Sequence, residues 1–175
     1  MKTVVVYESM FGNTQTIAEG IAEGLRDAGE VKLGTVDDLP PEGVRDAALI
    51  LAGGPTQARH MARPDARQSV AKNHALDKFG PVLQGRESLR SWLDRLPMGR
   101  AVAAAFDTRF DKPTLLTGSA AKEIARELSR KGYSVVGAQS FFVQGTGGPL
   151  ADGEHERAVA WGRDLAANLK KTSAA

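Results

Sequence analysis

The sequence contains no cysteine among its 175 residues. Disulfide bonds, thiolate catalysis, cysteine-ligated zinc and iron–sulfur clusters are therefore excluded, and any redox chemistry must come from a bound cofactor. No apolar run approaches the roughly 20 residues that a membrane-spanning helix needs. Met1-Lys2 leads directly into a strand-like run and not into a secretory signal. We therefore expect a cytoplasmic protein without a membrane partner.

The net charge is small, and aromatic residues are scarce. The net charge is only +2, aromatic residues make up 6% of the chain, and no basic stripe is interleaved with aromatics. Nucleic acid is therefore not an expected partner. No pair of histidine or acidic residues has the spacing of metal ligands, so no metal is expected either. The length predicts one α/β domain over residues 1–171, followed by a short polar tail at 172–175.

Apolar runs and helical patterns alternate along the chain. The apolar runs predict strands at 3–7, 30–36, 47–52, 101–106 and 133–143. The 3.6-residue patterns predict helices at about 14–28, 88–96, 119–131 and 153–170. This alternation favours a five-stranded parallel sheet with helices on both faces. The order 2-1-3-4-5 places the switch point between the first and third strands.

The loop between the first strand and the first helix is rich in hydroxyl, amide and glycine groups. Its residues are Ser9, Met10, Phe11, Gly12, Asn13 and Thr14. Such a loop directs backbone N–H groups at one anion, and the helix N-terminus adds its partial positive charge. The chain has no G-x-x-x-x-G-K-[ST] motif, and no G-x-G-x-x-G follows the first strand. The loop thus predicts a cradle for a phosphomonoester, with an ordinary capped βα turn as the alternative.

The segment Ser9–Thr14 resembles the FMN-phosphate loop of the flavodoxin family, T/S-x-T-G-x-T, with Phe11 where that family often has threonine. The resemblance implies a flavodoxin-like three-layer α/β/α sandwich that binds FMN. It also implies a second flavin loop at 54–58, where the third strand is expected to end in a tight turn. A third flavin loop is implied at 107–110, after the fourth strand.

The resemblance also suggests roles for single residues in these loops. Asp107 is a candidate acceptor for the ring imide, with a helix or turn cap as the alternative, and Arg109 is a candidate to offset charge on the reduced flavin. Phe110 is expected in the core, with ring stacking as its alternative, while His60 and Met61 are nearby candidates for stacking. Besides the phosphate loop, the predicted cofactor-binding residues are Pro55, Thr56, Gln57, Ala58, Arg59, His60, Asp107, Thr108 and Arg109.

The segment from 57 to 86 is expected to be a long inserted loop. It carries six of the chain's 23 basic residues but only two of its 21 acidic residues. A basic segment beside the flavin would attract a redox partner protein or a small anionic substrate by electrostatic steering. A solvated surface loop is the open alternative.

The function predicted from these features is electron transfer through bound FMN. The alternative is an FMN-dependent NAD(P)H:quinone-type reductase on the same fold, so the sequence leaves open whether the protein is an enzyme. A third possibility is an interaction module that kept the fold without a cofactor. A monomer and a homodimer are both compatible with the sequence.

Overall fold

A computed structural model of the chain describes residues 1–57, 59–62, 72, 86–145 and 147–173. The strands are β1 (Lys2–Tyr7), β2 (Glu30–Thr35), β3 (Leu49–Gln57), β4 (His60–Met61), β5 (Val102–Phe110) and β6 (Ser134–Val143). The α-helices are α1 (Asn13–Leu25), α2 (Leu89–Arg95), α3 (Thr114–Thr117), α4 (Ala120–Arg130) and α5 (Glu154–Ser173). Two short 3₁₀ turns lie between these elements, at Arg26–Ala28 and at Pro41–Val44.

The strands form one sheet in the order β2-β1-β3-β5-β6, and all four pairings along this path are parallel. This confirms the predicted fold class and the order of the five main strands. The two-residue strand β4 was not predicted and pairs antiparallel with the end of β3. The short helix α3 was not predicted either.

Two strands run further than the sequence indicated. The segment at 53–56, expected as a tight loop, continues β3 to Gln57, and β5 continues through Asp107 to Phe110. The two ends pair with each other, from Gly53 with Phe106 to Pro55 with Thr108. Pairing of β3 with β1 stops at Gly53. Beyond that point Pro55, which has no N–H, does not face β1 in the ladder, so the strand tolerates it.

Hydrophobic cores fill both faces of the sheet. On one face, α2 and α4 cover β1 and β3, and Trp92 is buried there with its indole Nε1 donating to the Leu39 carbonyl at 2.6 Å. On the other face α1 packs against α5. A Cβ on Gly24 of α1 would lie 2.1 Å from the Val159 carbonyl oxygen of α5, so a glycine is what permits this close helix approach.

No helix within the described ranges is long and apolar enough to cross a membrane. The cytoplasmic location stays a prediction, as do the domain bounds of 1–171. Most of the inserted loop expected at 57–86 lies outside the described residues, of which only 57, 59–62, 72 and 86 fall within it.

Candidate cofactor site

A cavity of about 210 Å³ opens at the carboxyl ends of the strands. Its walls come from the loop after β1, the ends of β3 and β5, and the turn after β6. The predicted residues that line it are Ser9, Met10, Phe11, Asn13, Thr14, Pro55, Thr56, Gln57, Thr108 and Arg109. Segments far apart in sequence thus meet at the sheet edge where ligands of open parallel sheets bind.

The loop after β1 delivers the N-terminus of α1 to the cavity. Gly12 has φ +86°, a left-handed conformation that glycine adopts without strain, and its carbonyl accepts the Thr16 N–H at 2.9 Å. The Gln15 N–H donates to Ser9 Oγ at 3.3 Å. The hydrogen bonds found in the described chain use neither the Asn13 nor the Thr14 N–H. These two donors at a helix N-terminus are thus left for an anion.

Side-chain contacts tie the phosphate loop to the other walls. Thr14 and Thr108 share a buried hydroxyl–hydroxyl hydrogen bond of 2.8 Å. The Asn13 side-chain amide donates to the Gly148 carbonyl at 2.6 Å, which holds the turn after β6 against the loop. Pre-ordered walls of this kind reduce the entropy that a ligand loses on binding.

Gln57 supplies an unused acceptor at the cavity wall. Its Nε2 donates to the buried sulfur of Met10 at 2.8 Å. Its Oε1 is buried, and within the described part of the chain it has no hydrogen-bond partner. A buried acceptor without a partner is unfavourable by roughly 1–3 kcal/mol, so a ligand N–H that reached it would stabilise the site.

Asp107 acts as a helix cap, which was the alternative role for this residue. Its carboxylate is fully buried and does not line the cavity. Oδ2 accepts the Ala121 N–H at 2.8 Å, the Ser119 hydroxyl at 2.8 Å and the Thr56 hydroxyl at 2.9 Å. This carboxylate therefore satisfies the N-terminus of α4 and holds Thr56 in place.

Arg109 lines the cavity while bracing its rim. Nε donates to Ser140 Oγ at 3.0 Å, and the guanidinium lies 5.1 Å from the centre of the Phe142 ring. Nη1 donates to the carbonyls of Phe110 and Lys112 at 3.0 and 2.7 Å. A positive charge is thereby fixed at the wall, and its action on a reduced flavin stays a prediction.

The expectation of a core position for Phe110 is wrong. Its side chain is 39% exposed and lines the cavity, because β5 carries it beyond the edge of the packed sheet. The stacking candidates His60 and Met61 lie elsewhere, since Met61 is 1% exposed in the core and His60 lies 3.8 Å from Glu123. Phe11 and Phe110 are the aromatic side chains that the described chain brings to the cavity.

Other predicted residues also lie off the cavity lining. Arg59 and His60 line a separate groove, because β4 turns the chain away from the sheet edge. Gly12 shapes the loop without lining the cavity, and Ala58 lies outside the described residues.

Sequence reasoning missed the contribution of Val143 and the turn after β6. Gly145 and Gly147 of this turn line the cavity. The signal available was a glycine-rich segment directly after the last strand, at the same sheet edge as the other loops.

Comparisons with known proteins agree with this description. The family model described as Flavodoxin matches residues 5–72. A flavodoxin from the domain Archaea is 22% identical, with a TM-score of 0.66 over 97% of this chain and 99% of that chain. Flavodoxin 1 from Bacillus cereus is 20% identical, with a TM-score of 0.63 over 93% and 95% of the two chains. A flavodoxin, WrbA-like protein from Agrobacterium tumefaciens is 18% identical, with a TM-score of 0.59 over 97% and 98%. No curated protein matches.

The family model matches the N-terminal part of the chain, and the flavodoxin structures share its fold over nearly its whole length, which agrees with the resemblance in the sequence. FMN, the cofactor that the resemblance implies, is the cofactor of the flavodoxins to which this chain is similar. The residues that line the cavity fit FMN. Two free N–H groups at a helix N-terminus suit a phosphate, and an unused amide oxygen and two aromatic side chains suit a polar-edged ring.

Proposed function

We propose that this protein binds FMN in the cavity and carries electrons between other redox components. The observation that carries the proposal is the convergence, in one cavity, of an anion-binding helix N-terminus at Ser9–Thr14 with the aromatic and polar rim from β3 and β5. When bound, FMN accepts and donates one or two electrons at its ring, and the protein supplies binding, orientation and electrostatics.

The phosphate end of the site is built from neutral groups. The N–H groups of Asn13 and Thr14, with the hydroxyls of Ser9 and Thr14, would hold the phosphate, and no lysine or arginine belongs to this loop. Affinity should therefore depend on the geometry of the loop more than on charge, with the dipole of α1 adding a favourable contribution.

The ring end of the site would be held by the strand ends. Gln57 offers its buried Oε1 as an acceptor, and Phe11 and Phe110 offer apolar surface. Arg109 would place a positive charge at the wall, which favours the uptake of negative charge in the cavity. The alternative of a direct NAD(P)H:quinone-type reductase gains no support from the comparisons.

The test is the visible absorption spectrum of the purified protein, followed by photoreduction. We expect a yellow protein, or one that turns yellow after incubation with FMN, whose colour is bleached by light and a donor and restored by an external acceptor. A protein that remains colourless with excess FMN would refute the proposal. Oxidation of NAD(P)H by the FMN-loaded protein alone would establish the reductase alternative instead.

A further inference from the structure

An exposed apolar segment follows the end of β5, where Phe110 lines the cofactor cavity. Helix α3 presents Leu115 and Leu116 with 79% and 64% of their surfaces exposed. Phe110, five residues before Leu115, is 39% exposed at the cavity lip. We call Phe110, Leu115 and Leu116 the leucine ridge. Exposed apolar side chains of this size favour contact with a partner, because covering them contributes about 25 cal/mol per Å².

The leucine ridge is held in place by two arginines. Nη1 of Arg109 donates to Thr117 Oγ1 at 3.0 Å and to the Lys112 carbonyl at 2.7 Å. Nη2 of Arg59 donates to the Leu115 carbonyl. The segment is therefore fixed by its backbone while its leucines face outward, and a partner that binds it loses little entropy in ordering it.

A basic groove of about 390 Å³ borders the leucine ridge at Leu115. Leu115 lines it together with the cationic side chains of Arg59, Lys122 and Arg126, and with His60. Glu123 is the acidic residue among the described lining residues. Its carboxylate already accepts the Met61 N–H at 2.7 Å and lies 3.4 Å from Arg90. The groove thus presents excess positive charge next to exposed leucines.

We propose that the leucine ridge and the basic groove form the docking surface for an acidic electron-transfer protein. The proposal rests on the electron-carrier function proposed above, and charge complementarity identifies the partner: carboxylates would lie in the groove while an apolar patch covers the ridge. Phe110 lines the cavity and is part of the ridge, so a partner docked there would lie against the cofactor site. A small anion has no use for the leucines, which favours a protein partner.

Stopped-flow oxidation of the photoreduced, FMN-loaded protein tests this surface, with an acidic bacterial c-type cytochrome and basic horse heart cytochrome c as the two acceptors. The variant Lys122→Glu/Arg126→Glu reverses the groove charge, and Leu115→Ser/Leu116→Ser removes the ridge. The matched control Arg26→Glu/Lys32→Glu makes the same change in net charge at exposed residues on the 3₁₀ turn Arg26–Ala28 and on β2.

At low salt we expect the charge reversal to slow the acidic cytochrome about tenfold and to accelerate the basic one. The ridge variant should slow the acidic cytochrome at every ionic strength, and the control should change neither rate by more than about twofold. Equal effects of the groove and control variants would overturn the proposal. A charge reversal that slowed the reaction with ferricyanide but with neither cytochrome would also overturn the proposal. It would assign the groove to a small anion.

The docking surface can also be measured without the flavin. Calorimetric binding of the acidic cytochrome to the FMN-free protein should weaken in both surface variants and persist in the control. A protein that fails to bind FMN but shows this pattern would refute the proposed electron-carrier function and retain the docking surface. Binding that is unchanged in both surface variants would refute the docking surface alone.

Discussion

Replacing Asp107 with alanine tests whether this buried residue is structural or contacts the cofactor. The carboxylate accepts three hydrogen bonds, from the Ala121 N–H and from the hydroxyls of Ser119 and Thr56. Loss of an N-terminal cap costs about 0.5–2 kcal/mol. Each hydrogen bond to a charged group contributes about 1.5–3 kcal/mol, and the two hydroxyls can in part find other partners. We expect Asp107→Ala to lower the free energy of unfolding by about 3–4 kcal/mol.

The assay is urea unfolding of the FMN-free protein, followed by circular dichroism, so that cofactor binding does not enter the result. In a parallel thermal scan, 1 kcal/mol corresponds to about 2–4 °C for a chain of this length, so the melting temperature should fall by roughly 6–16 °C. Asp107→Asn keeps one acceptor oxygen, and we expect about half the loss. Ser119→Ala, which removes one hydroxyl contact and the bond to the Lys122 N–H, should cost about 1 kcal/mol.

The opposite result would refute this reasoning. If the FMN-free Asp107→Ala protein were as stable as the wild type within about 0.5 kcal/mol, while its affinity for FMN fell more than tenfold, Asp107 would be a cofactor contact and not a cap.

Three further predictions concern the site and the pH dependence of stability. Gly12→Val should lower the stability of the FMN-free protein by about 1–2 kcal/mol, since a β-branched residue is strained at φ +86°, whereas Gly12→Asn should cost less; equal unfolding curves for both would contradict this. Asn13→Ala removes the bond to the Gly148 carbonyl and should raise the FMN dissociation rate about fivefold to tenfold in fluorescence measurements, an effect that Gln15→Ala should not reproduce. Burial, with Glu19 nearby, raises the pKa of Tyr7 in the folded protein. The contribution of Tyr7 to stability is therefore complete below the pKa of tyrosine in the unfolded chain, near 10, and is lost as the pH rises through the pKa in the folded protein. Tyr7→Phe should therefore flatten the loss of stability above pH 10, and an unchanged alkaline limb would contradict the assignment.

The sequence predicted those features that depend on local pattern or on strand order. The loop Ser9–Thr14 could be found because its composition and its place between a strand and a helix are both local. Pro55 and Thr108 were placed at the same edge by the order of parallel strands alone. Pro55, Thr108 and the loop residues other than Gly12 line the cavity, as expected from position, although their contact with a cofactor stays a prediction.

Features set by the exact length of a strand could not be predicted. Whether Phe110 lies in the core or at the cavity depends on how far β5 continues beyond the packed sheet, and that extension is fixed by pairing with β3 and β6. His60 and Arg59 leave the cavity because β4 folds back on β3, a two-residue pairing that leaves no periodic pattern. For Asp107, a single carboxylate after a strand is compatible with a cap or a ligand contact, and only the position of α4 distinguishes them.

The measurement that tests the central claim most directly is a calorimetric titration of the FMN-free protein with FMN and with riboflavin, in the wild type and in Thr14→Ala. If the helix N-terminus at Ser9–Thr14 holds the phosphate, FMN should bind far more tightly than riboflavin. Thr14→Ala should weaken FMN by about 1–2 kcal/mol, through the loss of one charge-assisted hydrogen bond, and leave riboflavin nearly unchanged. Riboflavin that bound as tightly as FMN, or a Thr14→Ala variant that weakened both equally, would contradict the assignment of this loop as the phosphate site.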